Sequence, residues 1–384
     1  MLFSKISTIK VINLLGLSLL VTALIVIPSL LELNFFDLPF LKDSVQAQVP
    51  VPEVSSEVKI DAFRMTMGAL AGLVLFIYGV TRLAEGLEHL AGDHMKNLVS
   101  KFTTNRFAGV ATGTVATTLL ESSSVTIIMT IAMVSAGLLT FAQSLGVVLG
   151  SNIGTTIGAQ LISLNINLYA PIAMLVGAVL QFAGKTDNQK SLGLILLGIG
   201  LLFFGLDVID EAMKPFREYQ PFIDLMATLG KNPVLGALIG AGFTVLIQSS
   251  SATVAVIITL AGSGLVSLPA GIALMLGAEV GTCADTLVST IGRGRPALRT
   301  GVFHFLFNIT SAILGIIFAQ QLAQFVLAIS GDDVGRQIAN AQIIFNVIGV
   351  VAMIGFVPLI ARGLEKLIPD TKLKQQEKIS VAAK

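Results

Sequence analysis

The sequence predicts an all-α polytopic membrane protein built from two inverted-topology repeats, each with a re-entrant helical hairpin, and three observations carry that prediction. Charge is scarce: Asp, Glu, Lys and Arg make up 12% of the 384 residues while 54% are hydrophobic, against roughly a quarter charged in an average soluble domain. Uncharged runs recur that are long enough to cross a hydrocarbon core, which takes roughly 20 apolar residues in a helix. The second half of the chain also repeats the first, position by position.

Composition excludes several classes of function. The net charge is +1, with no basic block and no tryptophan, so nucleic acid is not an expected partner and the lipid bilayer is. The single Cys283 rules out an intrachain disulfide. His89, His94 and His304 are far apart, no nucleophile, base and orienter pattern is visible, and no Gly-x-x-x-x-Gly-Lys-Ser/Thr phosphate loop occurs. An enzyme is not expected, nor any organic cofactor.

Residues 11–31 are uncharged and follow Lys5 and Lys10, which by length reads as an uncleaved anchor. Val45-Gln46-Ala47 leaves a cleaved signal segment open. The expected organisation is residues 1–60 as anchor or signal segment with an extracytoplasmic linker, 61–191 as repeat 1, 192–322 as repeat 2, and 323–384 as a final transmembrane helix with a short cytoplasmic tail.

A shift of 127 places Gly109, Gly113, Thr117, Ser122, Ser123, Ser124, Thr126, Gly137, Gly150, Gly154 and Thr155 on Gly236, Gly240, Thr244, Ser249, Ser250, Ser251, Thr253, Gly264, Gly277, Gly281 and Thr282. A shift of 126 places Gly72, Gly79 and Glu85 on Gly198, Gly205 and Glu211 upstream of them. In repeat 1 the apolar stretch 107–139 is broken at its middle by Glu121-Ser122-Ser123-Ser124. Its partner in repeat 2 is broken by Gln248-Ser249-Ser250-Ser251. Two half-length segments meeting at a polar tip fit this better than one helix with serines inside, because polar backbone at membrane depth must face protein or a water-filled cavity. With the hairpin returning to its own side, repeat 1 crosses at residues 66–90, 143–162 and 168–183. Three crossings invert repeat 2. Sixteen of the 24 Lys and Arg then fall on one side and seven on the other, with Arg82 at a boundary, which makes the richer side cytoplasmic.

Glu121 is the only charged residue between Arg106 and Lys185, and Glu279 and Asp285 are the only ones between Lys231 and Arg293. An acid at membrane depth without a nearby base calls for a bound cation or a proton. A hydrated acid at a helix end, and serines that only pack helices, are the bland readings. Against them, Gly-x-x-x-Gly-Thr follows each tip at the same distance, from Glu121 to Gly150 and from Gln248 to Gly277. Hydroxyls and free N–H groups at the starts of half-helices suit an anion, and nearby oxygens suit a small hard cation.

Several pieces then resemble the type II sodium/phosphate cotransporter family of bacteria and animals, over roughly residues 66–362. They are Gly72-Leu73-Val74-Leu75-Phe76-Ile77-Tyr78-Gly79, the two tips, Gly150-Ser151-Asn152-Ile153-Gly154-Thr155-Thr156, and the pairs Phe307-Asn308 and Phe345-Asn346. The resemblance implies sodium-coupled symport of inorganic phosphate by alternating access, in a multi-pass protein of the cytoplasmic membrane. Ser122, Ser123, Ser124, Ser249, Ser250, Ser251, Thr155 and Thr282 are then the phosphate candidates. Glu121, Gln248, Thr126, Thr253, Asn152 and Glu279 are the sodium candidates, and a homodimer stays open. Two departures stand out: Glu121 replaces the family's usual Gln, and Glu279 its usual Asn. A transporter or exporter of another oxyanion, and a non-transporting membrane scaffold or sensor, are the rival readings.

Overall fold

The computed structural model describes residues 62–164 and 167–370. The N-terminal segment and the end of the tail lie outside the described residues. The described chain is helical, with no strand, and six helices are long and apolar enough to cross a membrane: Phe63–Leu90, Phe141–Ser163, Asp187–Glu218, Leu268–Ser289, Arg295–Ile317 and Val334–Ile354.

In repeat 1, α1 (Ala62–Phe102) is followed by two short helices, α2 (Arg106–Leu120) and α3 (Ser123–Ser135), then α4 (Phe141–Ser163) and α5 (Ala170–Ala183). In repeat 2 the series is α6 (Asp187–Met213), α7 (Gln220–Lys231), α8 (Pro233–Ile247), α9 (Ser250–Gly262), α10 (Leu268–Gly281), α11 (Cys283–Ser289) and α12 (Arg295–Ile317). After it come α13 (Ala319–Ile329), α14 (Val334–Ile354) and α15 (Val357–Leu367).

The interrupted stretch is a hairpin in both halves. At 15 and 13 residues, α2 and α3 reach only about 22 and 20 Å, short of a bilayer core. Gly109 lies against Gly146, Gly113 against Val147 and Gly154 against Thr117, so α2 runs parallel to α4. The intervening α3 must therefore turn back. Repeat 2 matches contact for contact: Gly236 lies against Ala273, Gly240 against Leu274 and Gly281 against Thr244. Each returning arm ends at a left-handed glycine, Gly137 (φ 74°) or Gly264 (φ 80°). Leu138 N–H then donates to Met133 C=O, and Leu265 N–H to Leu260 C=O, the bond that closes a Schellman turn.

The first helices of the two repeats pack on each other along four turns. A Cβ on Gly72 would lie 2.7 Å from the Gly205 carbonyl, one on Gly79 would lie 2.8 Å from that of Gly198, and one on Gly86 would lie 2.8 Å from that of Ser191. The rising and falling numbers make α1 and α6 antiparallel. The pairing is also reciprocal, since Gly198 and Gly205 are the repeat counterparts of Gly72 and Gly79.

The α14 helix, 21 residues and about 32 Å long, runs between the two hairpins. Its start adjoins hairpin 2, where a Cβ on Gly335 would lie 2.7 Å from the Ile258 carbonyl. Its far end adjoins the root of hairpin 1, where Arg106 Nη1 donates to the Gly355 carbonyl at 3.4 Å. The apolar packing divides the same way. One cluster joins α9, α10 and Ile338, Ala339 and Ala341 of α14. A second joins α3, α4, α12, Val350 and the one-sided α15, which buries Val357, Ala361 and Leu364. Arg299 of α12 pins the segment after α15, donating to the Ile368 carbonyl at 2.7 Å and pairing with Asp370 at 2.9 Å.

Three features differ from the sequence-based expectation. The third crossing, α5, has only 14 helical residues. The long helix of repeat 2 carries a one-residue irregularity at Thr282, between α10 and α11, yet continues as one span from Leu268 to Ser289, where α4 is regular. The helix α7, bent by 108° from α8, was not anticipated.

Candidate functional site

Both tips are built the same way. Glu121 (φ 49°) and Gln248 (φ 60°) are the only described non-glycine residues with positive φ, a conformation that costs a non-glycine residue roughly 1–2 kcal/mol and clusters at functional sites. The next residue caps the returning arm: Val125 N–H donates to Ser122 Oγ and Ala252 N–H to Ser249 Oγ, both at 3.2 Å. Behind each tip a threonine pair locks the arms, Thr117 Oγ1 donating to Thr126 Oγ1 at 3.0 Å and Thr244 Oγ1 to Thr253 Oγ1 at 2.9 Å. Thr126 and Thr253 in turn donate to the Ser122 and Ser249 carbonyls. Both threonines therefore fasten the tip, a role that the sequence did not separate from ion binding.

Ser123 and Ser250 open the returning helices and are buried. Their hydroxyls, and that of Ser251, bond to no described residue. Ser124 shares a hydrogen bond with Thr282 Oγ1 at 3.4 Å, so hairpin 1 touches the long helix of repeat 2. Thr282 follows Gly281, where an added Cβ would sit 2.8 Å from Cβ of Thr244, behind tip 2. In the reciprocal contact, α9 of hairpin 2 packs on α4. Each hairpin, with uncommitted hydroxyls at its half-helix N-terminus, thus touches the long helix of the other repeat. Such ends carry unpaired N–H groups and partial positive charge.

The remaining candidates sort differently. Thr155 Oγ1 donates to the Ser151 carbonyl at 3.0 Å and Asn152 Nδ2 to the Val148 carbonyl at 2.8 Å, so both are satisfied within α4. The Glu121 side chain lies against α4, where a Cβ on Gly158 would meet its Oε2 at 2.6 Å. The counterpart of Gly158 in repeat 2 is Asp285, so each repeat supplies one acid from this pair of positions, the first from the tip and the second from the long helix. Glu279 faces α14, where Gln342 Nε2 donates to its Oε1 at 2.7 Å. Gln342 was not a sequence candidate; a lone amide in an apolar span carries no periodic signal.

The Na+/Pi-cotransporter family profile matches residues 75–211 and 219–357. The chain is 26% identical to the uncharacterized protein YqeW of Bacillus subtilis over 77% of this chain and 96% of that protein. It is 24% identical to the "Putative inorganic phosphate export protein YjbB" of Escherichia coli K12 over 78% of this chain, and spans about half (55%) of that longer protein. Human "Sodium-dependent phosphate transport protein 2B" is 29% identical over 33% of this chain and 20% of its own length. No solved structure matches the chain. With two matched segments that together cover most of its length, and six apolar helices of spanning length, the chain belongs to the Na+/Pi-cotransporter family, whose members are multi-pass membrane transporters and not enzymes.

Proposed function

We propose that this phosphate-transporter family member couples sodium to the movement of inorganic phosphate across the cytoplasmic membrane, with phosphate held between the two tips. The observation that carries this reading is the pair of serine-lined half-helix starts, each on a hairpin that touches the long helix of the other repeat, with hydroxyls of Ser123, Ser250 and Ser251 uncommitted. Phosphate is an oxyanion that accepts several hydrogen bonds, and no Lys or Arg lies in either hairpin beyond its first residue. Cations at Glu121 and its neighbours would balance the charge.

The inverted arrangement is supported by the antiparallel, reciprocal pairing of α1 with α6 and by hairpins rooted at opposite ends of α14. Alternating access then exposes the region between the tips to one side at a time. The topology is tested with single cysteines in a Cys283→Ser background. Gly294 lies between two basic residues but at φ 88°, where a side chain is strained, so the probe belongs on exposed Arg295. Arg295→Cys is expected to react with an impermeant maleimide only from the cytoplasm and Asp332→Cys only from outside. Labelling of both from one side would reject the inversion.

The function itself is tested by phosphate flux in proteoliposomes under an imposed sodium gradient. Uptake that follows sodium is expected, with no competition from sulfate. Flux without sodium dependence would reject the coupling. The phosphate export names carried by the Escherichia coli relatives favour a second reading, outward movement, and reversing the sodium gradient decides between the two directions.

Glu121 offers a sharper test, since Glu121→Gln keeps size and hydrogen-bonding capacity while removing the charge. The sodium needed for half-maximal flux is expected to rise by roughly tenfold or more, and the charge moved per cycle to change. A variant with intact sodium dependence and a flattened pH profile would instead assign a proton to this carboxylate.

A further inference from the structure

We propose that Glu279, Gln342 and Asn346 form a second, separate site for one dehydrated, sodium-sized cation, set apart from the tips and closed by α14; it rests on the sodium-coupled reading above. Glu279 is 1% exposed, and none of the ion pairs among the described residues involves it. A buried carboxylate without a base stays ionised only beside a counter-charge. Gln342 and Asn346, one turn apart on α14, supply none. Their neutral amides donate to the same Glu279 oxygen, at 2.7 and 3.5 Å, and Asn346 Nδ2 also donates to the Gln342 carbonyl at 3.0 Å.

The second, independent observation is what those amides leave undone. Gln342 is 0% exposed and Asn346 is 1% exposed, yet Gln342 Oε1 and Asn346 Oδ1 have no hydrogen-bond partner among the described residues. Buried acceptors are normally satisfied, and each orphan is costly. Oxygen and nitrogen exchange places when an amide makes a half-turn about its last torsion. That turn gathers one ionised and two neutral oxygens at a single point, the hard oxygen donor set that alkali and alkaline-earth cations prefer.

Repeat 1 has no equivalent. Its counterpart of Glu279 is Asn152, whose amide is engaged by the Val148 carbonyl of its own helix. Among the described residues the site therefore exists once, where α14 brings its two amides to Glu279.

Cys283 is the chain's single cysteine and is buried, so a thiol-reactive dye reports unfolding of the purified protein directly. Sodium is titrated against choline at constant ionic strength and without phosphate. Sodium is expected to raise the unfolding temperature, as any ligand of the native state does. Glu279→Gln should require on the order of tenfold more sodium for the same shift, Glu279→Asp should keep part of the response, and Thr81→Ala on the exposed face of α1 should match the parent. If Glu279→Gln is not recovered folded, Asn346→Ala keeps the acid and should still weaken the response severalfold. An unchanged sodium response in either variant overturns the site, as does a parent protein stabilised by acid and indifferent to sodium. A sodium shift that persists in a protein whose phosphate flux ignores sodium would reject the transport coupling and leave this site standing.

Discussion

Gly79→Val is expected to leave little folded protein in the membrane, and Gly198→Val should do the same. A Cβ at Gly79 would sit 2.8 Å from both the Gly198 carbonyl oxygen and the Leu201 carbonyl carbon, and a Cβ at Gly198 would meet the Leu83 backbone and lie 2.8 Å from the Gly79 carbonyl oxygen. Overpacking in a core that can shift costs about 1–3 kcal/mol. Here both obstacles are backbone, and relieving them means prising apart helices that touch along four turns, so the loss should exceed about 3 kcal/mol. Gly242→Val is the matched control, because nothing lies within 4 Å of its added Cβ. Recovery of monodisperse protein after mild detergent extraction reads the outcome. Normal recovery of Gly79→Val would mean that α1 and α6 are not in backbone contact.

Ser123→Ala and Ser250→Ala carry the second large effect, and theirs falls on binding. Each removes a hydroxyl that bonds to no described residue, so little stability should be lost. A hydrogen bond to an anion contributes about 1.5–3 kcal/mol, which is roughly tenfold or more in apparent phosphate affinity. The two variants should weaken phosphate alike, because their positions are repeat counterparts. Ser144, which lies outside the tips, is not a neutral comparison: it donates to the Phe141 carbonyl at 2.6 Å and shares a hydrogen bond with Thr300 of α12 at 2.9 Å. Ser144→Ala should lower the unfolding temperature and leave phosphate affinity alone. Phosphate concentration dependence of flux, measured beside unfolding temperature, separates the two kinds of serine. Unaltered affinity in both tip variants would make the tips purely structural.

The hairpins were legible because a polar cluster at the middle of an apolar stretch has few solutions in a membrane, and because the same solution is written twice. Thr117 with Thr126 and Thr244 with Thr253 turn that repetition into identical bonds. The irregularity at Thr282 was not legible, since Gly-x-x-x-Gly-Thr occurs unchanged in α4, which has none. Nor was the separation of Glu279 from the other ion candidates. In the sequence it aligns with Asn152 and shares a neighbourhood with Thr282, and only the path of α14 shows that it faces Gln342 and Asn346 instead. Pattern reports which face of a helix is apolar; it does not report which later helix covers that face.

The presence of a single α14 has an energetic consequence under the inverted arrangement. Two interchangeable halves would make the outward-open and inward-open forms related by a two-fold rotation and equal in free energy, and an unloaded carrier would divide its time evenly between them. A helix that meets hairpin 2 at one end and the root of hairpin 1 at the other, with two amides committed to an acid found in only one half, removes that equality. Every increment of about 1.4 kcal/mol is a tenfold ratio of populations, about the strength of one hydrogen bond to a charged group. One such contact kept in one form and lost in the other is enough to set the side of the membrane on which the empty protein rests.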